Sequence, residues 1–407
     1  MAPARYFENR MTLRDVDVGG KRVLVRVDFN VPLDDGKVAD DFRIRSALPT
    51  IEYILDKGGA AVLLSHLGRP KGKRVAGLSM KPVRTALEQL LGKTVHLAPD
   101  CVGLEVERMA SSLDAGDVLL LENLRFHPEE EANDPGFAGR LAALADIYVN
   151  DAFGTAHRAH ASTVGVTHYL KPAVAGFLME KELEFLGRLL ANPQEPFIAI
   201  LGGAKISGKI EVLKNLMDRV GSLLIGGGIA NTFLKAAGHD IGGSLFEAAS
   251  LDVASEIAGL AASKRVPFLL PDDFVAADRV EAGASTTVID GNEAVPEGLS
   301  IVDIGEKTRR RFAEEIGRAR TIFWNGPVGV FEIEDFSEGT FSVARAVADA
   351  TGKGAVSVIG GGDTASAVAR AGVSDKVTHI STGGGASLEF VEGRELPGIA
   401  ALSVRGR

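Results

Sequence analysis

Short apolar runs recur along the chain, and each ends at a turn that carries a distinct chemistry. Residues 23–27 run into Asp28-Phe29-Asn30, residues 61–64 into Ser65-His66-Leu67-Gly68-Arg69, and residues 118–121 into Glu122-Asn123-Leu124-Arg125. Further on, residues 197–201 meet Gly202-Gly203, 223–225 meet Gly226-Gly227-Gly228, 356–359 meet Gly360-Gly361-Gly362-Asp363-Thr364, and 378–380 lead to Gly383-Gly384-Gly385. Between them lie stretches with helical spacing, such as residues 46–56, 80–91, 210–220, 230–237 and 308–317. Apolar runs alternating with helices predict parallel sheets, whose ligands gather at the carboxyl ends of the strands. The first half loads those ends with cationic and hydrogen-bonding side chains, the second half with bare backbone. One half is therefore expected to grip a small anion and the other a nucleotide.

The alternation breaks once. Leu178, Leu183, Leu186, Leu189 and Leu190 keep helical spacing through a charged stretch that Asn192-Pro193-Gln194-Glu195-Pro196 ends, which predicts a joining helix over 179–191. The expected organisation is a substrate domain over 1–178, helix and linker over 179–195, a nucleotide domain over 196–390, and a tail over 391–407. The tail contains Leu396-Pro397-Gly398-Ile399 and is too apolar to be left in solvent. The fold class read from this pattern is α/β, with two doubly wound, Rossmann-like parallel-sheet domains joined by a helix and a deep cleft between them.

Length and composition agree with two globular domains: 407 residues exceed one ordinary core, and 45% hydrophobic with 24% charged residues can bury sizeable ones. With 54 acidic against 45 basic residues the net charge is −9, which argues against nucleic acid or an anionic membrane as partner. The cations that matter must act locally. Cys101 is the single cysteine, so neither an intrachain disulfide nor a cluster of thiolates around a metal is available, as suits a reducing compartment. It reads as a small packing side chain. No run of about 18 apolar residues occurs, and residues 1–10 lack the apolar core of a secretory signal, so a cytosolic location is expected.

Glycines between strand and helix let backbone approach a phosphate while helix N–H groups point at it. Gly203-Ala204-Lys205-Ile206-Ser207-Gly208-Lys209 nearly spells a Walker loop, but Ile210 stands where a hydroxyl should hold Mg²⁺. Gly360-x-Gly362-x-x-Ala365 fits a dinucleotide turn, yet the next apolar run ends in Ser381-Thr382 with no acid for a ribose. Asp363 and Thr364 suit either a helix cap or a ligand of a metal-nucleotide. Lys205 and Lys209, four apart, would share a helix face beside Gly202-Gly203, where phosphate contact outweighs a merely solvated role. In the first half, His66, Arg69 and Arg125 follow buried runs, and Arg43 and Arg158 add guanidinium groups. Guanidinium forks match phosphate and carboxylate oxygens. His66 reads equally well as a structural histidine. Asp28 and Asn30 suit a hydroxyl, so the expected substrate is a phosphorylated hydroxy acid.

These motifs in this order resemble the phosphoglycerate kinase family along nearly the whole chain. The matching segments include Arg26-Val27-Asp28-Phe29-Asn30-Val31-Pro32, Ser65-His66-Leu67-Gly68-Arg69-Pro70, Glu122-Asn123-Leu124-Arg125-Phe126, and Asn150-Asp151-Ala152-Phe153-Gly154 through His157-Arg158. They continue with Gly202-Gly203-Ala204-Lys205, Trp324-Asn325-Gly326-Pro327, Gly329-Val330-Phe331-Glu332, Gly361-Gly362-Asp363-Thr364 and Ser381-Thr382-Gly383-Gly384-Gly385. The resemblance implies that 3-phosphoglycerate is bound by Asp28, Phe29, Asn30, Arg43, His66, Leu67, Gly68, Arg69, Arg125 and Arg158. It implies nucleotide contacts from Lys205, Lys209, Gly226, Gly227, Asn325, Glu332, Gly361, Gly362, Asp363 and Thr364, with Glu332 at the ribose and Asp363 at the Mg²⁺ of MgADP or MgATP. It assigns the phosphoryl group in flight to Arg43, Lys205 and the amides near Gly383, Gly384 and Gly385. It also implies a monomer whose tail returns to the first domain.

The expected reaction moves the acyl phosphate of 1,3-bisphosphoglycerate to MgADP. The nucleophile is already ionised and the leaving group is a carboxylate, so positioning and charge neutralisation suffice and no general base is needed. Two other readings make different demands. A dehydrogenase would need the missing ribose acid, and a binding protein would hold phosphoglycerate without making ATP.

Overall fold

The structure, a computed structural model, describes residues 7–406. Its compact units are the chain up to Glu184 together with the residues from Glu395 on, and Phe185–Arg394. The boundary between them falls inside the helix Phe177–Ala191, which begins two residues earlier than its leucine spacing predicts.

In the first unit six parallel strands lie in the order His96–Leu97, Val118–Leu120, Ala60–Leu64, Arg22–Arg26, Ile147–Asn150 and Ala173–Ala175. Ala60–Leu64 is buried at every position, as a central parallel strand covered on both faces requires. Val23, Val25 and Val27 pack against Ile44, Ile51 and Ile54, which the helix Phe42–Asp56 presents along one face. That helix starts four residues before the expected 46, where Asp40 accepts the Phe42 amide at 2.9 Å. The short hairpin Leu33–Asp34 with Lys37–Val38 turns on Asp35-Gly36, both at positive φ, the conformation a two-residue hairpin turn demands.

The residues from Glu395 on belong to this unit. The Gly398 amide donates to Ala156 O at 2.8 Å, the Ser403 amide to Ala173 O at 2.8 Å, and the Met11 amide to Ser403 O at 2.8 Å. Leu396, Ile399 and Leu402 are buried there.

In the second unit the parallel order is Phe268–Leu269, Ser222–Ile225, Phe197–Leu201, Thr321–Asn325, Val356–Gly360 and His379–Ile380. In chain order this is 3-2-1-4-5-6, which places the topological switch between Phe197–Leu201 and Thr321–Asn325. Trp324, Ile198 and Ile200 share a core with Phe312 and Ile316 of the helix Glu306–Arg318 and Val343 and Val347 of Glu338–Gly352. The helix Ile210–Leu216 stops short of the expected 220, because the Arg219 guanidinium takes the Asn215 carbonyl at 2.6 Å and draws the chain out of the ladder. A three-stranded antiparallel sheet, Thr286–Asp290, Asp273–Ala277 and Ser300–Ile304, lies outside the alternation that predicts the rest. No helix among the described residues is long and apolar enough to cross a membrane.

Candidate active site

Strand register brings the loaded turns of the first unit together. Arg26 pairs with Leu64 on one side and Asn150 on the other, so the segments that follow all three leave the sheet at one edge. Three short links lock the turns that follow Arg26, Leu64 and Leu120. The Phe29 amide donates to Ser65 Oγ at 2.8 Å, the Gly68 amide to Asn30 Oδ1 at 2.8 Å, and Asn123 Nδ2 to Leu67 O at 2.7 Å. Phe29 and Leu67 are buried, so their side chains serve packing and only their backbone faces the turn.

Guanidinium groups crowd this edge. Arg43 Nη1 donates to Asp28 Oδ2 at 2.9 Å and to Asn30 O at 3.3 Å; Arg125 Nη1 donates to Gly68 O at 3.0 Å and its Nε lies 3.3 Å from Glu131. Burial, followed by the charges of Arg26, Arg125 and Arg43, holds the His66 pKa well below its ordinary value. Arg26 Nη2 lies 3.2 Å from His66 Nδ1, and a guanidinium can only donate, so Nδ1 accepts and Nε2 carries the hydrogen. The sequence left His66 open between ligand and structural histidine; here it is a neutral donor fixed by an arginine. Arg69 and Arg158 are exposed; Arg69 has no ion pair among the described residues, and Arg158 Nε is directed to His157 at 3.1 Å. Asp28 and Glu131 pair with only two of these guanidinium groups, and the surplus of positive charge at this edge suits an anion.

Arg26 is the residue that sequence reasoning missed. It is 1% exposed and donates to Ser162 Oγ at 2.8 Å, while Ser162 in turn donates to the buried Glu130. The signal was an arginine inside an otherwise apolar run.

The second unit holds a cavity of about 260 Å³ whose walls include Gly227, Gly228, Asp303, Val328, Glu332 and Asp363. Its glycines divide into two kinds. A Cβ on Gly202 would lie 2.1 Å from Pro327 O and one on Gly226 2.5 Å from Val328 Cβ, so these residues permit neighbouring strand exits to cross. Gly362 is exposed and meets nothing within 4 Å, and it opens the helix Gly362–Arg370. The missing side chains at Gly202 and Gly226 thus serve the packing of strand exits, whereas Gly362 faces open space.

Lys209 Nζ donates to Gly202 O and to Asn325 O, the latter at 3.1 Å, and burial brings its pKa down to about 8 against the opposing pull of Asp363. Lys205 is exposed and has no ion pair or side-chain hydrogen bond among the described residues. The two lysines do not share a helix face, since residues 202–206 are irregular and the helix begins at Ile210. Thr364 is fully buried, and its Oγ1 accepts the Gly326 amide at 2.7 Å. Asp363 and Glu332 are exposed carboxylates with no hydrogen bond or ion pair among the described residues. An unpartnered carboxylate on the first turn of a helix beside a cavity fits a hard divalent cation carried by a nucleotide. The Asn325 Nδ2 donor is buried without a partner, 3.1 Å from where a Cβ on Gly360 or Gly361 would sit. The Gly383 amide already donates to Ser381 Oγ at 3.1 Å, which leaves Gly384 and Gly385 as the donors of that turn. Sequence reasoning also missed Asp303, a buried carboxyl that holds the Gly339 amide at 2.6 Å and whose Oδ1 has no partner.

Comparison with known proteins identifies the family. The phosphoglycerate kinase family model matches residues 13–394. A phosphoglycerate kinase of Chloroherpeton thalassium is 59% identical, with 97% of this chain and 99% of that protein covered; one of Moorella thermoacetica is 58% identical over the same shares. Among solved structures, phosphoglycerate kinase from Coxiella burnetii matches with TM-score 0.86 and 44% identity, covering 97% of this chain and 98% of that one. That from Pyrococcus horikoshii matches with TM-score 0.84 and 34% identity, covering 96% and 98%. With the family model matched over residues 13–394 and relatives 59% and 58% identical over nearly the whole length, this chain belongs to the phosphoglycerate kinase family.

Proposed function

We propose that the chain transfers the acyl phosphate of 1,3-bisphosphoglycerate to MgADP, reversibly, giving 3-phosphoglycerate and MgATP in glycolysis and gluconeogenesis. Arg69, Arg125 and Arg158 bind the phosphate and carboxylate oxygens of the glycerate, and Nε2–H of neutral His66 donates to the same ligand. Asp28 and Asn30 take its hydroxyl. Glu332 accepts from the ribose, while Lys209 and the first turn of Gly362–Arg370 face the phosphates. Asp363 supplies a carboxylate oxygen to the Mg²⁺ that arrives with the nucleotide; that ion neutralises charge on the phosphate chain. Arg43, Lys205 and the amides of Gly384 and Gly385 surround the phosphoryl group as it moves.

The observation that carries this reading is the convergence of Arg26, Arg43 and Arg125 on neutral His66. Asp28 and Glu131 offset part of that charge, and with Arg69 and Arg158 exposed alongside, the remaining positive charge suits a multiply charged anion. No residue near it is poised as a general base, and none is required, because an ionised phosphate oxygen attacks and a carboxylate leaves. Water would compete as acceptor, so closure of one unit on the other about Phe177–Ala191 accompanies turnover. The working form is a cytosolic monomer. ATP formation from ADP and 1,3-bisphosphoglycerate, followed in a coupled assay, tests the reaction; failure to form ATP from that pair in the presence of Mg²⁺ would overturn it. Small-angle scattering with and without both ligands tests closure.

A further inference from the structure

One chemically loaded cluster has no part in phosphoryl transfer. Cys101 Sγ, a carboxylate oxygen of Asp100 and a ring nitrogen of His127 lie within 4.8 Å of one another, the one such trio of metal-ligating groups found among the described residues. Asp100 Oδ1 lies 2.7 Å from His127 Nε2 and accepts the Cys101 amide at 2.7 Å. The His127 ring is held by stacking on Phe137, centroids 5.2 Å apart. Cys101 is fully buried, whereas the side chains of His127 and Asp100 are 24% and 38% exposed. The cluster thus opens to solvent on its imidazole and carboxylate side and is floored by the thiol.

A Cys-His-Asp trio can also denote a nucleophile. Burial, with the charges of Asp100 and Glu130, pushes this thiol well above its ordinary pKa, and no substrate-sized electrophile can reach it. A bare ion can. We propose that Asp100, Cys101 and His127 bind a thiophilic divalent cation of the zinc class. One soft sulfur, one imidazole and one carboxylate suit that class over Mg²⁺ or Ca²⁺. In a tetrahedral site with bonds of ~2.0–2.3 Å, ligand atoms stand roughly 3.3–3.8 Å apart, so the trio must shift by only about an ångström. As the ion enters, the thiol passes its proton to solvent and forms the sulfur–metal bond. His127 binds through the Nε2 lone pair in the tautomer that carries its hydrogen on Nδ1, any proton displaced from Nε2 passing to solvent, and a water completes the fourth position. Arg74, whose Nη2 donates to Pro99 O, sets a positive charge beside Asp100 and opposes binding. The site also touches the substrate edge: His127 directly follows the turn Leu124–Phe126 that carries Arg125, and Asp100 O accepts the Glu122 amide at 3.4 Å.

Titration of the chelator-treated full chain with Co²⁺, without nucleotide, tests the proposal. The wild type is expected to take up one equivalent, with a thiolate-to-metal charge-transfer band and the intense visible bands of tetrahedral Co²⁺, and Zn²⁺ should displace it. Cys101→Ser should lose the charge-transfer band, His127→Gln and Asp100→Asn should each weaken binding at least tenfold, and Asp363→Asn should leave it unchanged. Absence of a thiolate band in the wild type overturns the site, whatever the variants do. So does a band indifferent to both His127→Gln and Asp100→Asn, which would mean a lone thiol capturing metal.

Discussion

Arg43 is the cation whose loss is expected to cost turnover more than affinity. Arg43→Ala should lower kcat by about 10³-fold, with a much smaller rise in the KM for 3-phosphoglycerate, because other guanidinium groups remain to hold the ground state. Its partner Asp28 is nearly buried, so the alanine also strands a carboxylate; Arg43→Lys restores the charge without the fork and should recover only part of the rate. Steady-state kinetics decide, and unchanged kcat with lost affinity would remove Arg43 from the moving group. Lys209 gives a pH signature. Burial brings its pKa down to about 8, so the free amine loses its proton as pH rises through that value, and a bound phosphate favours the charged form again. ADP affinity should fall above about pH 8, and binding there should take up a proton, measurable by calorimetry in buffers of different ionisation enthalpy; Lys209→Gln should abolish the uptake. His66, Arg69 and Arg125 were legible because each follows an apolar run, and Lys209 because it lies close to the Gly202-Gly203 exit. Arg26 and Asp303 were not, since each sits within a run whose neighbours are apolar, and only the burial of Arg26 against Ser162 or of Asp303 against Gly339 reveals its work.

Elements succeed or fail at their ends. Asp151 Oδ1 accepts the Met179 amide at 3.1 Å and so caps the start of Phe177–Ala191. Burial pushes its pKa up to about 7, so between roughly pH 4 and pH 7 the folded state keeps a proton that the unfolded chain has released. Its contribution to stability falls as pH rises through that window and levels above it. Asp151→Asn and Asp151→Ala both remove the titrating carboxyl and should flatten that part of the slope, but the alanine also loses the cap and should lie about 1–2 kcal/mol below the asparagine at either pH; urea midpoints at pH 5 and pH 8 check both. Gly202→Ala would drive a methyl into Pro327 O and should destabilise the second unit by ~3 kcal/mol or more. The parallel strands were legible because burial on both faces writes an unbroken apolar run. The antiparallel sheet was not: Thr286–Asp290 has exposed positions at Thr286, Thr287 and Val288 and carries no such run. Nor could periodicity place the end of Ile210–Leu216, which a single arginine–carbonyl contact decides.

For the whole molecule, sequence order and structural membership part company at Glu395. The last residues belong to the unit that the chain built first, joined through Gly398 to Ala156 and through Ser403 to both Met11 and Ala173. Leu396, Ile399 and Leu402 bury apolar surface there, and deleting buried side chains of this size costs roughly 2–5 kcal/mol each. Truncation after Arg394 is therefore expected to unfold or loosen the first unit while sparing Phe185–Arg394, whose core contains none of these residues. Hydrogen exchange should show protection lost along Arg22–Arg26, Ala60–Leu64 and Ile147–Asn150 and retained along Phe197–Leu201 and Thr321–Asn325. Nucleotide binding should survive the truncation and phosphoglycerate binding should not. Equal loss of protection in both units would mean that neither holds its fold without the other, and the tail would then stabilise the molecule as one cooperative body.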